Sequence, residues 1–151
     1  MRWRSPQIVG LALLVAISGA TRADQPSQPL RLSLERVGTN LRVTLFNTGD
    51  REIAVINRFS VDELTFVIKD SDGVRFPVVA KISVPPPMQT DWCHLMPGNF
   101  VGVDFPDRLL KMEHSLKPGT YSVKAEYRIS DPQGGFIGSI ESSTVEATLK
   151  P

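Results

Sequence analysis

The stretch 91–100, DWCHLMPGNF, gathers the residue types of this chain that are most able to do chemistry. It holds Cys93, the single cysteine of 151 residues, followed by His94 and Met96. A thiol beside an imidazole is a candidate nucleophile and base, which requires the sulfur to lie within about 3 Å of a ring nitrogen. Successive side chains of an extended backbone point to opposite faces, and Pro97 favours an extended backbone at Met96. Alternation therefore separates Cys93 from His94 and argues against a hydrolase-type site.

The same alternation brings His94 and Met96 together, because residues two apart on a strand share a face. Imidazole and thioether groups are ligands that suit copper, especially Cu(I). The pair is similar to the His-x-Met pair of one family of periplasmic copper chaperones, which also needs upstream ligands; here only Met88 precedes it. Copper at His94 and Met96 is thus the sharpest chemical hypothesis. The alternative places Met96 and Trp92 in the core, with His94 at its rim.

A second pair of such ligands, Met112 and His114, lies further along the chain. The predicted strand 100–105 would hold the two pairs roughly 20 Å apart unless its flanks fold back. The segment 106–116 is the one helical candidate, a single turn, and residues two apart on a helix do not face each other. We therefore do not expect this pair to complete the copper site.

No catalytic signature accompanies these residues. The sequence contains no G-x-S-x-G, H-E-x-x-H or phosphate-cradling glycine loop. Asp70 and Asp72 lie in the stretch KDSDG, where aspartates bond to local backbone in a turn. The other ligands and the closing glutamate of a calcium loop are missing. The sequence therefore predicts that the protein is not an enzyme.

Residues 1–23 have the pattern of a cleaved secretory signal peptide. Two arginines precede thirteen uncharged residues, and Thr21 and Ala23 precede the expected cleavage before Asp24. Such an apolar helix rises only about 20 Å, short of the roughly 30 Å hydrocarbon layer. We expect an exported protein, periplasmic or secreted, with no membrane span in the mature chain.

The charge and cysteine content of the mature chain, residues 24–151, exclude several classes of protein. Of 17 basic residues, three fall within residues 1–23, which leaves 14 against 16 acidic residues. A near-neutral chain predicts no nucleic-acid binding and no polybasic membrane surface. One cysteine cannot form an internal disulfide, so Cys93 is a buried thiol, an intermolecular bridge or a ligand.

After a flexible lead-in at residues 24–29, residues 30–151 are expected to form a single all-β domain of seven to nine strands. Short strands between turn signals at roughly 8–12-residue intervals are typical of an antiparallel β-sandwich. Alternation predicts the inward-facing residues of four strands. They are Leu30, Leu32 and Leu34; Leu41, Val43 and Leu45; Leu64, Phe66 and Ile68; and Tyr121, Val123, Ala125 and Tyr127, with Phe100, Val101, Val103 and Phe105 as further core candidates.

Two features offer a surface to a partner. Pro77 follows a hairpin with the turn SDG, which predicts an edge strand near Arg75–Val79 that another chain could pair with. A proline run cannot lie in a central strand and indicates a rigid crossover that would lose little entropy on binding. Its residues are Pro85, Pro86 and Pro87, and the crossover ends at Trp92.

The stretch LKPGTYSVKAEY resembles the end of many immunoglobulin-like domains. In those domains a tyrosine opens strand F, and a turn with a glycine two residues earlier precedes it; this arrangement is called the tyrosine corner. Gly119 and Tyr121 occupy these positions, and Val123 stands where antibody domains carry a cysteine. Residues 30–149 as a whole are similar to small exported bacterial immunoglobulin-like domains. The resemblance implies an immunoglobulin-like β-sandwich, a structural role for Tyr121 and no antibody-type disulfide.

The sequence therefore predicts an exported, non-catalytic binding or structural module, whose partner is a protein or another envelope component. A periplasmic copper-binding protein and an inhibitor of an exported enzyme are the alternatives.

Overall fold

The computed structural model describes residues 29–57, 59–60, 62–80, 85, 88–129 and 137–151. The predicted signal peptide and residues 24–28 of the lead-in lie outside these residues. Within them the chain is mostly β, as predicted, and contains ten strands and one α-helix. The strands are β1 (Leu30–Val37), β2 (Asn40–Asn47), β3 (Ile53–Ile56), β4 (Leu64–Lys69), β5 (Arg75–Phe76), β6 (Trp92–Leu95), β7 (Phe100–Pro106), β8 (Gly119–Ile129), β9 (Gly138–Glu141) and β10 (Val145–Leu149). The helix α1 (Asp107–His114) has eight residues, longer than the single turn expected.

The described strands form three antiparallel sheets. One has the order β1-β2-β7, and a larger one has the order β10-β8-β4-β5, with β9 also paired to β8. Among the described strands, β3 and β6 pair only with each other and form a small third sheet. β5 lies at the edge of its sheet, as Pro77 predicts.

Alternation of apolar and polar residues determines which face of each strand is buried. The predicted inward residues of β1, β2, β4 and β8 are all at most 7% exposed, which confirms these four patterns. Residues between them, such as Arg31, Glu35 and Ser122, are exposed. Alternation with a period of two residues therefore determines which side chains are buried wherever one face of a strand packs on the core and the other faces solvent.

The buried side chains of the two larger sheets belong to one apolar cluster. Phe66 on β4 meets Phe105 on β7 edge to face, with ring centroids 5.0 Å apart. Burial of such a side chain contributes about 1.5–3 kcal/mol to the stability of the fold. This contact fixes the edge strand β7 against β4 of the opposite sheet.

Tyr127 on β8 connects the small sheet to the five-stranded sheet. Its hydroxyl donates to the carbonyl of Ile56 at 2.8 Å and accepts from the Ile56 amide at 3.0 Å. The ring is fully buried, and this burial raises the pKa of the phenol, so the hydroxyl keeps its proton. One side chain thereby satisfies both backbone groups of a residue on β3.

Asn47, the last residue of β2, connects the small sheet to the three-stranded sheet. Its side-chain nitrogen donates to the carbonyls of Arg51 and Leu95, both at 2.7 Å, and its oxygen accepts from the Gly49 amide at 2.9 Å. Leu95 lies on β6. Asn47 and Tyr127 therefore attach the small sheet to both larger sheets, and through it they position the residues of β6.

Candidate functional site

β6 carries two of the residues expected to do chemistry. Cys93 is a half-buried free thiol that packs against the apolar cluster, and Leu95 on the same face is buried. His94 between them is exposed. The strand therefore directs Cys93 and His94 to opposite faces, and the adjacent pair does not form a nucleophile and base.

His94 has a carboxylate neighbour that no sequence pattern revealed. Its Nδ1–H donates to Glu52 Oε1 at 2.7 Å, and the two side chains are 65% and 49% exposed. A carboxylate only accepts hydrogen bonds, so Nδ1 is the donor in this contact and Nε2 is the ring nitrogen that does not bond to Glu52. Glu52 precedes β3, whose Ala54 pairs with His94, and this register brings the two side chains together.

Met96 follows the end of β6 and is 52% exposed. The alternative that placed Met96 in the core is therefore wrong. Trp92 is half-buried and stands opposite Ile56 in the register of the small sheet. His94 and Met96 are thus both accessible from solvent, as a pair of surface ligands must be.

The second pair expected from the sequence is split by the helix. Met112 is 60% exposed and His114 is 2% exposed, so the two side chains lie on different faces of α1. The Nδ1–H of His114 donates to the Phe76 carbonyl at 2.9 Å. Among the described residues, no group of three or more His, Cys, Asp and Glu side chains could hold a metal ion.

The proline-rich crossover is described only in part. Pro85 is exposed and Met88 is 64% exposed, and a single 3-10 turn, Gln89–Asp91, leads into β6. Pro86 and Pro87 lie outside the described residues. Within the predicted partner surface, Pro85 and Met88 are therefore exposed and Trp92 is half-buried.

Tyr121, at the beginning of β8, bonds to the backbone just before that strand. Its hydroxyl donates to the Lys117 carbonyl at 2.9 Å, and its ring meets Phe76 edge to face at 5.5 Å. A β-carbon added at Gly119 would lie 3.5 Å from the Tyr121 ring. These contacts stabilise the turn between α1 and β8, which is a structural role.

Sequence analysis missed the free edge of β7, by which we mean the edge with which no described strand pairs. In an antiparallel pair, alternate residues direct both backbone groups to the neighbouring strand and the residues between them direct theirs away. The Asn47 amide donates to the Asn99 carbonyl, and the Asp107 amide donates to the Thr39 carbonyl. In the register of β2 and β7, these bonds show that the odd-numbered residues of β7 direct their backbone groups towards β2. The amides and carbonyls of the even-numbered residues therefore point away from β2. Within the described residues, these groups of Phe100, Gly102 and Asp104 have no hydrogen-bond partner.

The outer face of β7 carries an exposed aromatic side chain. Phe100 is 65% exposed, so its assignment to the core was wrong. Its ring lies 5.5 Å from that of Phe46, over which the Arg31 guanidinium sits at 4.8 Å. Phe100 precedes Val101, and two adjacent strand residues cannot both face inward. Its position in the alternation therefore outweighs its apolar character.

The inner face of β7 is only partly covered. Val101, Val103 and Phe105 pack against the apolar cluster but stay half-buried, unlike the fully buried Leu41, Val43 and Leu45 of the neighbouring β2. The margin of the core next to the open backbone edge is therefore accessible. A strand added here would gain backbone hydrogen bonds and would cover apolar side chains.

The edge at β5, predicted as a pairing site, offers fewer free groups. β5 has only two residues and is followed by Pro77, which has no amide hydrogen. The amides of Val79 and Ala80 donate to the Glu113 carbonyl at the end of α1, and His114 bonds to Phe76. These contacts protect this edge in the way that natural sheets avoid unwanted pairing.

The described residues contain no helix long and apolar enough to cross a membrane. No protein-family model matches the sequence, and no curated protein has significant similarity to it.

Proposed function

We propose that this chain is an exported, non-catalytic immunoglobulin-like β-sandwich that binds another polypeptide by strand addition at β7. The observation that carries the proposal is the edge of β7 with which no described residue pairs, together with exposed Phe100 beside it and half-buried valines beneath it. Backbone bonds at such an edge give affinity, and the alternating side chains give selectivity.

Two features support the immunoglobulin-like architecture. The sheet orders β1-β2-β7 and β10-β8-β4-β5 match the strand orders A-B-E and G-F-C-C′ of immunoglobulin-like sandwiches. The Tyr121 hydroxyl bonds to a carbonyl four residues upstream, as the tyrosine corner requires. In this correspondence β7 is strand E, and no described strand takes the place of strand D beside it. The small sheet of β3 and β6 is a departure from the common pattern.

Export is supported by the basic, apolar and small-residue succession of residues 1–23. Protein recovered from the periplasm of its host should begin at Asp24. A chain that retains Met1 in that compartment would contradict cleavage.

Site-specific photo-crosslinking in the host tests the binding function. A benzophenone amino acid at position 100 should yield an adduct of defined mass, because this side chain projects beside the free edge. The matched control replaces Val74, which is 56% exposed but lies in the turn before β5. A crosslink at position 100 that is absent at position 74 supports the proposal. Equal labelling at both positions, or no adduct at either, refutes it.

A copper-binding function is the second candidate, and the bond between Glu52 and His94 favours it. Carboxylates that accept from one nitrogen of a histidine commonly orient the other nitrogen towards a metal. Here the His94 side chain is 65% exposed with its Nδ1 bonded to Glu52, and the exposed Met96 follows two residues later. The two residues supply two ligands, and a thiolate is not among them because Cys93 faces the core.

A Cu(I) titration of the reduced protein tests this candidate. Stoichiometric binding, lost in the double variant His94→Ala, Met96→Ala and retained in Met112→Ala, would support a copper site. Met112 is the appropriate control because it is an equally exposed methionine outside the pair. Weak binding of the same strength in all three proteins would exclude the site.

A further inference from the structure

We infer that the strand that completes the β7 edge is β7 of a second copy of this chain, paired antiparallel about a twofold axis at Gly102. The inference rests on the proposed function, and it names the partner. A twofold axis is the commonest symmetry of protein dimers, and it requires a surface that is complementary to itself. The sequence of β7 has that property, because Val101 and Val103 flank Gly102 symmetrically.

The free backbone groups select the register. Only the even-numbered residues of β7 direct their backbone amides and carbonyls away from β2. Hydrogen-bonded pairs across the axis must therefore join even-numbered residues. With Gly102 opposite Gly102 of the second copy, Phe100 pairs with Asp104 in both directions. Each of the three pairs exchanges two bonds, so every outward amide and carbonyl of these residues is satisfied.

Neighbouring registers are less favourable. A shift that sets Phe100 opposite Pro106 meets a residue without an amide hydrogen. A further shift in the same direction sets Asp104 opposite Asp104, and like charges directly across a strand pair are destabilising. A shift the other way sets Asp104 opposite Gly98, which lies in the turn before β7.

The side chains fit the chosen register on both faces. On the inner face each Val101 meets Val103 of the second copy, and these half-buried side chains cover one another. On the outer face Phe100 lies diagonally next to Gly102 of the second copy. An aromatic ring in that position shields the bare backbone of a strand glycine.

Charge does not oppose this pairing. Asp104 is the one ionised residue among the outward positions of β7, and Arg42 of its own chain binds it through two bonds of 2.8 and 3.0 Å. Charged residues at an edge normally discourage pairing. Here Arg42 of the same protomer offsets part of the charge, whereas near β5 the amides of Val79 and Ala80 donate to the Glu113 carbonyl of α1 and protect that edge.

Sedimentation velocity over a range of concentrations tests the inference with two substitutions at one exposed position. Phe100→Asp places like charges opposite each other twice per dimer, whereas Phe100→Lys places opposite charges there. We expect the dissociation constant of Phe100→Asp to exceed that of Phe100→Lys by about tenfold at low salt, with the difference largely lost in 1 M salt. Gly102 is unsuitable for substitution, because a β-carbon there would lie 2.8 Å from the Val43 carbonyl oxygen and would strain the protomer itself.

The control Val74→Asp should self-associate like the unmodified protein. Self-association of the unmodified protein with the expected order of the two Phe100 variants supports the inference. Three results would overturn it: a monomer at all concentrations, a dimer that Phe100→Asp leaves intact, or a dimer that Val74→Asp weakens equally. A monomer that still gives a heterologous crosslink at position 100 would refute only the second copy as partner. Loss of that crosslink as well would refute the proposed function.

Discussion

Tyr127→Phe should destabilise the protein far more than Tyr121→Phe, although both substitutions remove only a hydroxyl. Removal of the Tyr127 hydroxyl leaves the amide and the carbonyl of Ile56 without their partner at a residue that is 3% exposed. Each unsatisfied buried group costs about 1–3 kcal/mol. The carbonyl can accept another hydrogen bond through its second lone pair, so its cost should lie at the low end of this range. For the two groups together we therefore expect a loss of about 2–4 kcal/mol in the free energy of unfolding.

Tyr121 makes a single hydroxyl bond, to the carbonyl of the exposed Lys117, which water can replace. Its removal should therefore cost only about 0.5–1.5 kcal/mol. Urea unfolding of the two variants and the unmodified protein, followed by circular dichroism, measures the difference. Equal losses, or a smaller loss for Tyr127→Phe, would refute the argument that this hydroxyl holds the small sheet in place.

Two further predictions follow from the hydrogen bonds of single polar side chains. Asn47→Ala should cost about 1–3 kcal/mol in urea unfolding, because it removes the donor to the carbonyls of Arg51 and Leu95, whereas the Gly49 amide keeps its bond to the Pro29 carbonyl; a loss below about 0.5 kcal/mol would contradict this. The Ser139 hydroxyl and the Arg128 guanidinium lower the pKa of Glu126 from its ordinary 4.5. The stability gained from this group is therefore complete above that pH and disappears as the pH falls through the lowered value. Glu126→Gln should accordingly cost up to about 1 kcal/mol at neutral pH and nothing in strong acid, and a difference that persists in strong acid would contradict the assignment.

The sequence predicted those parts of the fold that depend on local period. The inward faces of β1, β2, β4 and β8 followed from alternation because each strand has one dry and one wet face. Phe100 shows the limit of this approach. Its residue type indicated burial, but the neighbouring Val101 faces the core, so alternation directs Phe100 to the opposite, exposed face. Met96 shows the same limit, since its apolar character favoured burial, whereas the alternation that places it on the face of exposed His94 gave the correct result.

The features that define the candidate sites depend on pairings between distant segments. His94 and Glu52 meet because β6 pairs with β3, and Tyr127 meets Ile56 across 71 positions of sequence. The free edge of β7 exists because β2 pairs with one side of it and no described strand pairs with the other. Neither composition nor spacing encodes these facts locally, so they emerge only when the order of strands in the sheets is known.

Hydrogen exchange of the β7 amides, measured by NMR in dilute protein, shows whether the outer edge of β7 is open to a partner strand. We expect an alternating pattern: rapid exchange at Phe100, Gly102 and Asp104, and slow exchange at Val101 and Val103, whose amides face β2. When the protein is concentrated or its partner is added, the rapid amides should become protected. Uniformly slow exchange along β7 in the dilute monomer would show that this edge is already covered, and would rule out strand addition at β7.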